Sequence, residues 1–188
     1  GKPIVNLLPL EEGERINAVL PVQAFSEDQY VFMATRHGTV KKTPLTHFSR
    51  PRSSGIIALE LRDDDALVNV GITDGSSDVM LLSSSGKALR FSESDVRAMG
   101  RGATGVRGMR LEAGQSVIAL LILDDDSDVL TATENGFGKR TPLAEYPCRG
   151  RGGMGVIAVR TGGRNGEVVG ACQVASGDEV MLITRGGT

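Results

Sequence analysis

A unit of about fifty residues recurs along this chain, and the recurrence decides most of what the chain can fold into. The clearest copy runs from Val129 to Val174. It opens on Val129-Leu130-Thr131-Ala132-Thr133, turns at Asn135-Gly136 and returns through Gly138-Lys139-Arg140-Thr141-Pro142. A Gly/Arg-rich loop, Arg149 to Gly155, leads into Val156-Ile157-Ala158-Val159, and Val168 to Val174 closes the unit. Glycines that end the first strand and turn stand at Gly38, Gly86, Gly136 and Gly187, separated by 48, 50 and 51 residues. Gly55, Gly105 and Gly155 form a second series, 50 apart, each preceding an apolar run. Four residues after the first three turn glycines stand Lys42, Arg90 and Arg140; ten residues after them stand Phe48, Val96 and Tyr146.

Each unit reads as four short strands, with β-branched and apolar runs bounded by turn pairs such as His37-Gly38, Asp74-Gly75 and Asn135-Gly136. No segment keeps a helical apolar period over ten residues, which excludes long helices. Thr43-Pro44 and Thr141-Pro142 predict single helical turns, with Thr at the cap and Pro at the first position. A lone four-stranded sheet cannot bury both faces, so such units stack as blades. The predicted units span about 29–73, 78–123 and 128–174, with a half blade over 1–22 and a partial blade over 178–188. That makes roughly three and a half blades where a closed ring needs at least four. The expected fold is therefore all-β, a propeller-like array of four-stranded blades present as an incomplete fragment.

Totals exclude several classes. There is no run of eighteen apolar residues and no basic-then-apolar leader, so neither a membrane span nor a signal peptide is expected. Cys148 and Cys172 lack metal-ligand spacing and sit by apolar strand patterns, which predicts buried free thiols in a reducing compartment. Aromatic residues make up only 4% and Trp is absent, against a stacking platform for single strands.

The net charge of −2 hides a strong separation. Residues 36–52, 86–110 and 136–164 hold 17 of the 21 Lys and Arg and only 3 of the 23 acids. The acids gather in turn-like runs such as Asp63-Asp64-Asp65 and Asp124-Asp125-Asp126-Ser127-Asp128. Charged loops are usually just solvated, but three basic runs recurring in phase predict one basic rim, the footprint of a phosphate backbone.

Other motifs fail on context. Gly100-x-Gly102-x-x-Gly105 and Gly150-x-Gly152-x-x-Gly155 spell a dinucleotide fingerprint, yet a strand pattern follows each, where that motif needs a helix. Asp124, Asp126 and Asp128 space like a calcium loop, but Val129 stands where its glycine is required. His37 reads as a turn residue, and Tyr30 and Tyr146 as packing residues. No acid–base pair or activated nucleophile is assembled, so the fragment alone is not read as an enzyme.

These residues resemble a known family. Gly1 to Leu10, Val31-Phe32-Met33-Ala34-Thr35 with Gly38-Thr39-Val40-Lys41-Lys42-Thr43, Val96 to Gly100 with Thr104 to Gly108, and Asn135 to Thr141 look like the C-terminal domain of bacterial DNA gyrase A. The resemblance covers essentially the whole chain. It implies a β-pinwheel, usually six-bladed, whose basic perimeter bends duplex DNA and presents a positive crossover, so that ATP-driven strand passage introduces negative supercoils. It also implies a bacterial cytoplasmic, nucleoid-associated protein, with gyrase A and gyrase B joined in an A2B2 holoenzyme that binds ATP and Mg2+ elsewhere; this fragment itself needs no cofactor. Two family features fall outside the chain, the cleavage tyrosine and a hallmark Gln-Arg-Arg-Gly-Gly-Lys-Gly box. Arg101–Gly105 and Arg149–Gly155 look like degenerate copies of that box, with Met154 in place of its Lys.

Phosphate contacts are expected from Lys41, Lys42, Lys87, Arg90, Lys139 and Arg140 on return strands, and from Arg50, Arg52, Arg101, Arg107, Arg149 and Arg151 in loops. The alternatives are the equivalent domain of topoisomerase IV, or a propeller-like scaffold that binds an acidic protein partner.

Overall fold

A computed structural model of the chain describes residues 1, 3 and 6–184. It contains eleven strands among those residues and no α-helix. In the first repeat, β1 (Tyr30–Thr35) and β2 (Thr39–Pro44) form a hairpin, and β3 (Leu67–Thr73) pairs on the far side of β1. In the second repeat, β4 (Asp78–Ser83), β5 (Lys87–Ser92) and β7 (Val117–Ile122) do the same, with the two-residue β6 (Val106–Arg107) between β5 and β7 in sequence. The third consists of β8 (Asp128–Thr133), β9 (Gly138–Pro142), β10 (Val156–Ile157) and β11 (Val168–Val174).

In the two four-stranded sheets the fourth strand comes from the next repeat, whereas the sequence reading gave each unit four strands of its own. The sheet orders are β3-β1-β2-β6, β10-β5-β4-β7 and β11-β8-β9. Thus β6 of the second repeat pairs with β2 of the first, Val106 opposite Val40, and β10 of the third pairs with β5 of the second, Val156 opposite Ala88. Hydrogen bonds at the turns fix this handover. The N–H groups of Gly108 and Met109 donate to the Gly38 carbonyl (2.8 and 3.1 Å), and those of Ala158 and Val159 donate to the Gly86 carbonyl at the same distances.

Strand alternation then explains the cores. On β4, Val79 and Leu81 face the first sheet and pack with Phe32, Val40, Phe91 and Met109. Met80 and Leu82 face the third sheet and pack with Val129, Leu143 and Tyr146. Both faces of the middle sheet are buried, so stacking completes a core that no unit has alone. Of the two tyrosines read as packing residues, Tyr146 is buried and Tyr30 half-buried; Val96, at the repeat position of Tyr146, is buried as well.

Three local expectations change. The short helical turns are 3-10 turns at Leu45–Phe48 and Leu143–Glu145, with Pro44 and Pro142 themselves at the cap, one residue later than predicted. Pro44 and Pro142 still end strands β2 and β9, which delays the turn. Both cysteines are free, but Cys148 is exposed and Cys172 half-buried, because neither falls on a core-facing position. The stretches read as a half blade (1–22) and a partial blade (178–188) carry no strand among their described residues; Gly187 lies outside those residues.

Asp65 ties the loop before β3 to the first hairpin turn. Its Oδ1 accepts from the backbone N–H groups of His37 (2.9 Å) and Ala66 (2.8 Å). Burial raises its pKa, but these bonds and one from the Thr35 hydroxyl outweigh that and hold it below the ordinary 3.8. A depressed carboxylate contributes stability above its unfolded-state pKa and loses it as pH falls through the folded value. The stability difference between the native chain and Asp65→Asn, followed by urea unfolding, is therefore expected to narrow as pH falls below 3.8.

Candidate nucleic-acid interface

The hairpins place Lys41 and Lys42 on β2, Lys87 and Arg90 on β5, and Lys139 and Arg140 on β9. Not all of these reach solvent. Lys41 is fully buried, and its Nζ donates to the carbonyls of Ala58 (2.8 Å) and Arg101. Burial, with the Arg101 charge nearby, lowers its pKa; Glu60 partly opposes this. Lys42 is 6% exposed, donates to the Glu93 carbonyl (3.1 Å) and stands 3.5 Å from the Glu93 carboxylate. It also lies over the Tyr30 ring, 4.9 Å from the centroid. These two lysines join the first blade to neighbouring segments from inside, so the sequence assignment of both to phosphate contact is corrected.

Arg90 and Arg140 share a different arrangement. Arg90 pairs with Asp78 (2.8 Å) and Arg140 with Asp128 (2.5 Å), and both partners sit 50 residues apart. The position of Asp78 and Asp128 is occupied by Tyr30 in the first repeat, opposite Pro44 as Asp78 is opposite Ser92. Arg90 is further committed to the carbonyls of Leu143 (3.4 Å) and Tyr146 (3.5 Å) in the next blade. Lys87 pairs with Glu112 (3.2 Å).

The two loop arginines Arg101 and Arg151 repeat one contact. Arg101 Nη1 donates to the Ile57 carbonyl and Arg151 Nη1 to the Arg107 carbonyl, each at 3.0 Å, and each target lies 44 residues before its arginine. Arg151 also donates through Nε to the Asp95 carbonyl (2.9 Å). These arginines clamp consecutive Gly/Arg loops together. Arg151 is nevertheless exposed, and Arg101 half-buried.

Arg50, Arg52, Arg107, Lys139 and Arg149 are exposed and form no ion pair among the described residues. The sequence assignments omitted Arg110 and Arg160, which are also exposed and 50 residues apart. The repeat itself carried that signal. Arg62, Arg107, Arg110 and Arg151 border one groove beside the first hairpin turn, with Asp65 as the acid there. The exposed cations thus sit mainly in the Gly/Arg loops and in the segments around the handed-over strands, and fewer sit on the return strands.

The sequence profile described as "DNA gyrase C-terminal domain, beta-propeller" matches residues 29–74, 77–124 and 127–171. The chain belongs to this family. The matched segments follow the three repeats. The DNA gyrase A protein of Salmonella typhimurium is 56% identical over 188 residues, covering 100% of this chain and 21% of that protein. The chain therefore spans about a fifth of the length of the relatives it matches. The crystal structure of the C-terminal domain of DNA topoisomerase IV aligns with a TM-score of 0.85 at 32% identity, covering 93% of this chain and 55% of that one. A DNA gyrase A C-terminal domain aligns with a TM-score of 0.83 at 28% identity, covering 93% and 58%. Like those folds, this member of the gyrase C-terminal family is a β-pinwheel, here with three sheets among its described residues. None of its helices among those residues is long and apolar enough to cross a membrane.

Proposed function

We propose that this chain binds and bends duplex DNA without reading its sequence, as part of a bacterial gyrase whose ATP-driven strand passage introduces negative supercoils. In that reading it acts in the cytoplasm within an A2B2 assembly, and the ATP and Mg2+ sites lie elsewhere in that enzyme. The observation that carries the reading is that every repeat holds exposed cations with no ion pair among the described residues: Arg52 in the first, Arg107 and Arg110 in the second, and Lys139, Arg149 and Arg160 in the third. Cations in this setting contact phosphates and position a duplex, leaving the bases unread. Bending costs about 1–6 kcal/mol, which counterion release and many weak contacts offset.

The test is fluorescence anisotropy with duplexes of increasing length at several salt concentrations. The variant is Arg52→Glu/Arg107→Glu/Arg149→Glu, which reverses one exposed cation per repeat and leaves the internal pairs intact. Affinity is expected to rise with length, and the variant to bind at least tenfold more weakly. Its salt slope should become shallower by about 0.9 for each phosphate it no longer neutralises. Unchanged binding by the folded variant would remove these residues from the interface.

A further inference from the structure

The groove beside the first hairpin turn holds a set of cations that the repeat does not explain. Arg62, Arg107, Arg110 and Arg151 line it, and its volume of about 710 Å3 is that of a small-molecule site. Each arginine sits on a backbone held in place. Arg107 lies on β6 opposite Thr39, the Arg110 N–H donates to the Gly153 carbonyl (2.8 Å), and the Arg62 carbonyl accepts from the Asp65 N–H (3.1 Å). The Arg151 guanidinium is itself fixed by the carbonyls of Asp95 and Arg107. The side chains of Arg62, Arg107 and Arg110 are exposed and make no hydrogen bond or ion pair among the described residues. Asp65 is the acid in the groove; its Oδ1 already accepts from two backbone N–H groups and lies 3.9 Å from Nδ1 of His37. One carboxylate does not balance four guanidinium groups, so their mutual repulsion favours entry of an anion.

The equivalent positions one repeat on are filled differently. Glu112 stands at the position of Arg62, Ile157 at that of Arg107 and Lys87 at that of Thr39. Lys87 and Glu112 pair at 3.2 Å, so the second junction is neutralised from within. Of Arg62, Arg107 and Arg110, only Arg110 keeps a basic counterpart there, Arg160. A duplex is a uniform polyanion and is met by cations that recur from blade to blade. A set gathered at one junction fits a compact ligand instead. Guanidinium forks take phosphoryl oxygens two at a time, and adjoining phosphoryl groups present several such pairs in a small volume. A peptide carboxylate presents one pair and a single charge.

We propose that this groove binds one compact polyphosphate, with Arg62, Arg107 and Arg110 closing on its phosphoryl oxygens and Arg151 already held in position to meet them. Binding of the polyphosphate is independent of the DNA-binding reading. One consequence does rest on that reading: Arg107 and Arg110 are among its duplex contacts, so an occupied groove withholds them from DNA.

The test is isothermal titration of the DNA-free 188-residue chain with inorganic tripolyphosphate. One site per chain is expected, and orthophosphate should bind at least about tenfold more weakly. Arg62→Gln/Arg110→Gln, with an unchanged circular dichroism spectrum, should weaken tripolyphosphate binding at least about tenfold. Arg50→Gln/Arg52→Gln loses the same charge outside the groove and should change it by less than about twofold. Magnesium-free ATP separates two sources of the ligand. An affinity matching that of tripolyphosphate assigns the phosphate chain of a nucleotide, and a much weaker one assigns free inorganic polyphosphate. Several weak sites per chain, equal losses in the two double variants, or tripolyphosphate binding no tighter than orthophosphate would each overturn the site. Duplex anisotropy is read separately, so a chain that binds DNA and ignores tripolyphosphate overturns this site alone.

Discussion

Replacing Glu93 with alanine is expected to cost about 3–5 kcal/mol of unfolding free energy, a large fraction of what holds a domain of this size together. Glu93 is fully buried at the junction of two blades. Its carboxylate accepts from the Thr73 hydroxyl (2.7 Å) and from the N–H groups of Gly75 (2.8 Å) and Ser77 (2.9 Å), and faces Lys42 at 3.5 Å. Alanine would strand three donors and leave a lysine charge inside without its counter-charge. The exposed pair Arg140–Asp128 is the internal comparison. Its geometry is closer, at 2.5 Å, yet Arg140 is half exposed, so Arg140→Ala should cost less than about 1 kcal/mol. Urea unfolding of both variants, with the slope checked for constancy, measures the difference. Equal losses would show that burial at the junction adds nothing to the pair.

Gly86→Ala is the second large effect, and Gly136→Ala is its matched control. Both glycines end the same hairpin turn with nearly the same φ, 79° and 81°. The left-handed backbone alone costs an alanine about 1–2 kcal/mol. At Gly86 the new Cβ also meets the carbonyl of Val159, a residue whose own N–H is bonded to the Gly86 carbonyl, and the Thr161 methyl at 2.9 Å. Overpacking there adds about 1–3 kcal/mol or loosens the handed-over strand. Gly136 has open space, so only the backbone cost applies. The gap between the two variants in thermal or urea unfolding measures the interblade contact; no gap would mean that the handover is not tight.

The repeat was legible because turns need particular residues at fixed places: Gly38, Gly86 and Gly136 mark three hairpins of one design. Stacking was legible for the same reason, since Val79-Met80-Leu81-Leu82 offers an apolar side chain to both faces. Sequence could not say which copy of a strand pairs with which hairpin. Identical periods are compatible with pairing inside a unit or between neighbours, and β6 and β10 are too short to carry a pattern of their own. Lys41 was misplaced because composition treats lysine as surface, whereas two backbone carbonyls form a site for it here. The Asp78–Arg90 and Asp128–Arg140 pairs did carry a signal, an acid and a cation twelve positions apart in two repeats. It was obscured by reading Asp128 as part of an acidic turn tip.

The strand handover also sets a schedule for synthesis. Thr39 finds its partner in Arg107 and Lys87 finds its partner in Ile157, so a blade lacks an edge until much of the following repeat has been made. At about 5–20 residues per second on the ribosome, each sheet waits several seconds for the strand that seals it. During that wait its edge is open to any other extended chain nearby. The nascent protein is therefore most vulnerable one repeat behind its growing end, and that zone moves along the molecule as translation proceeds.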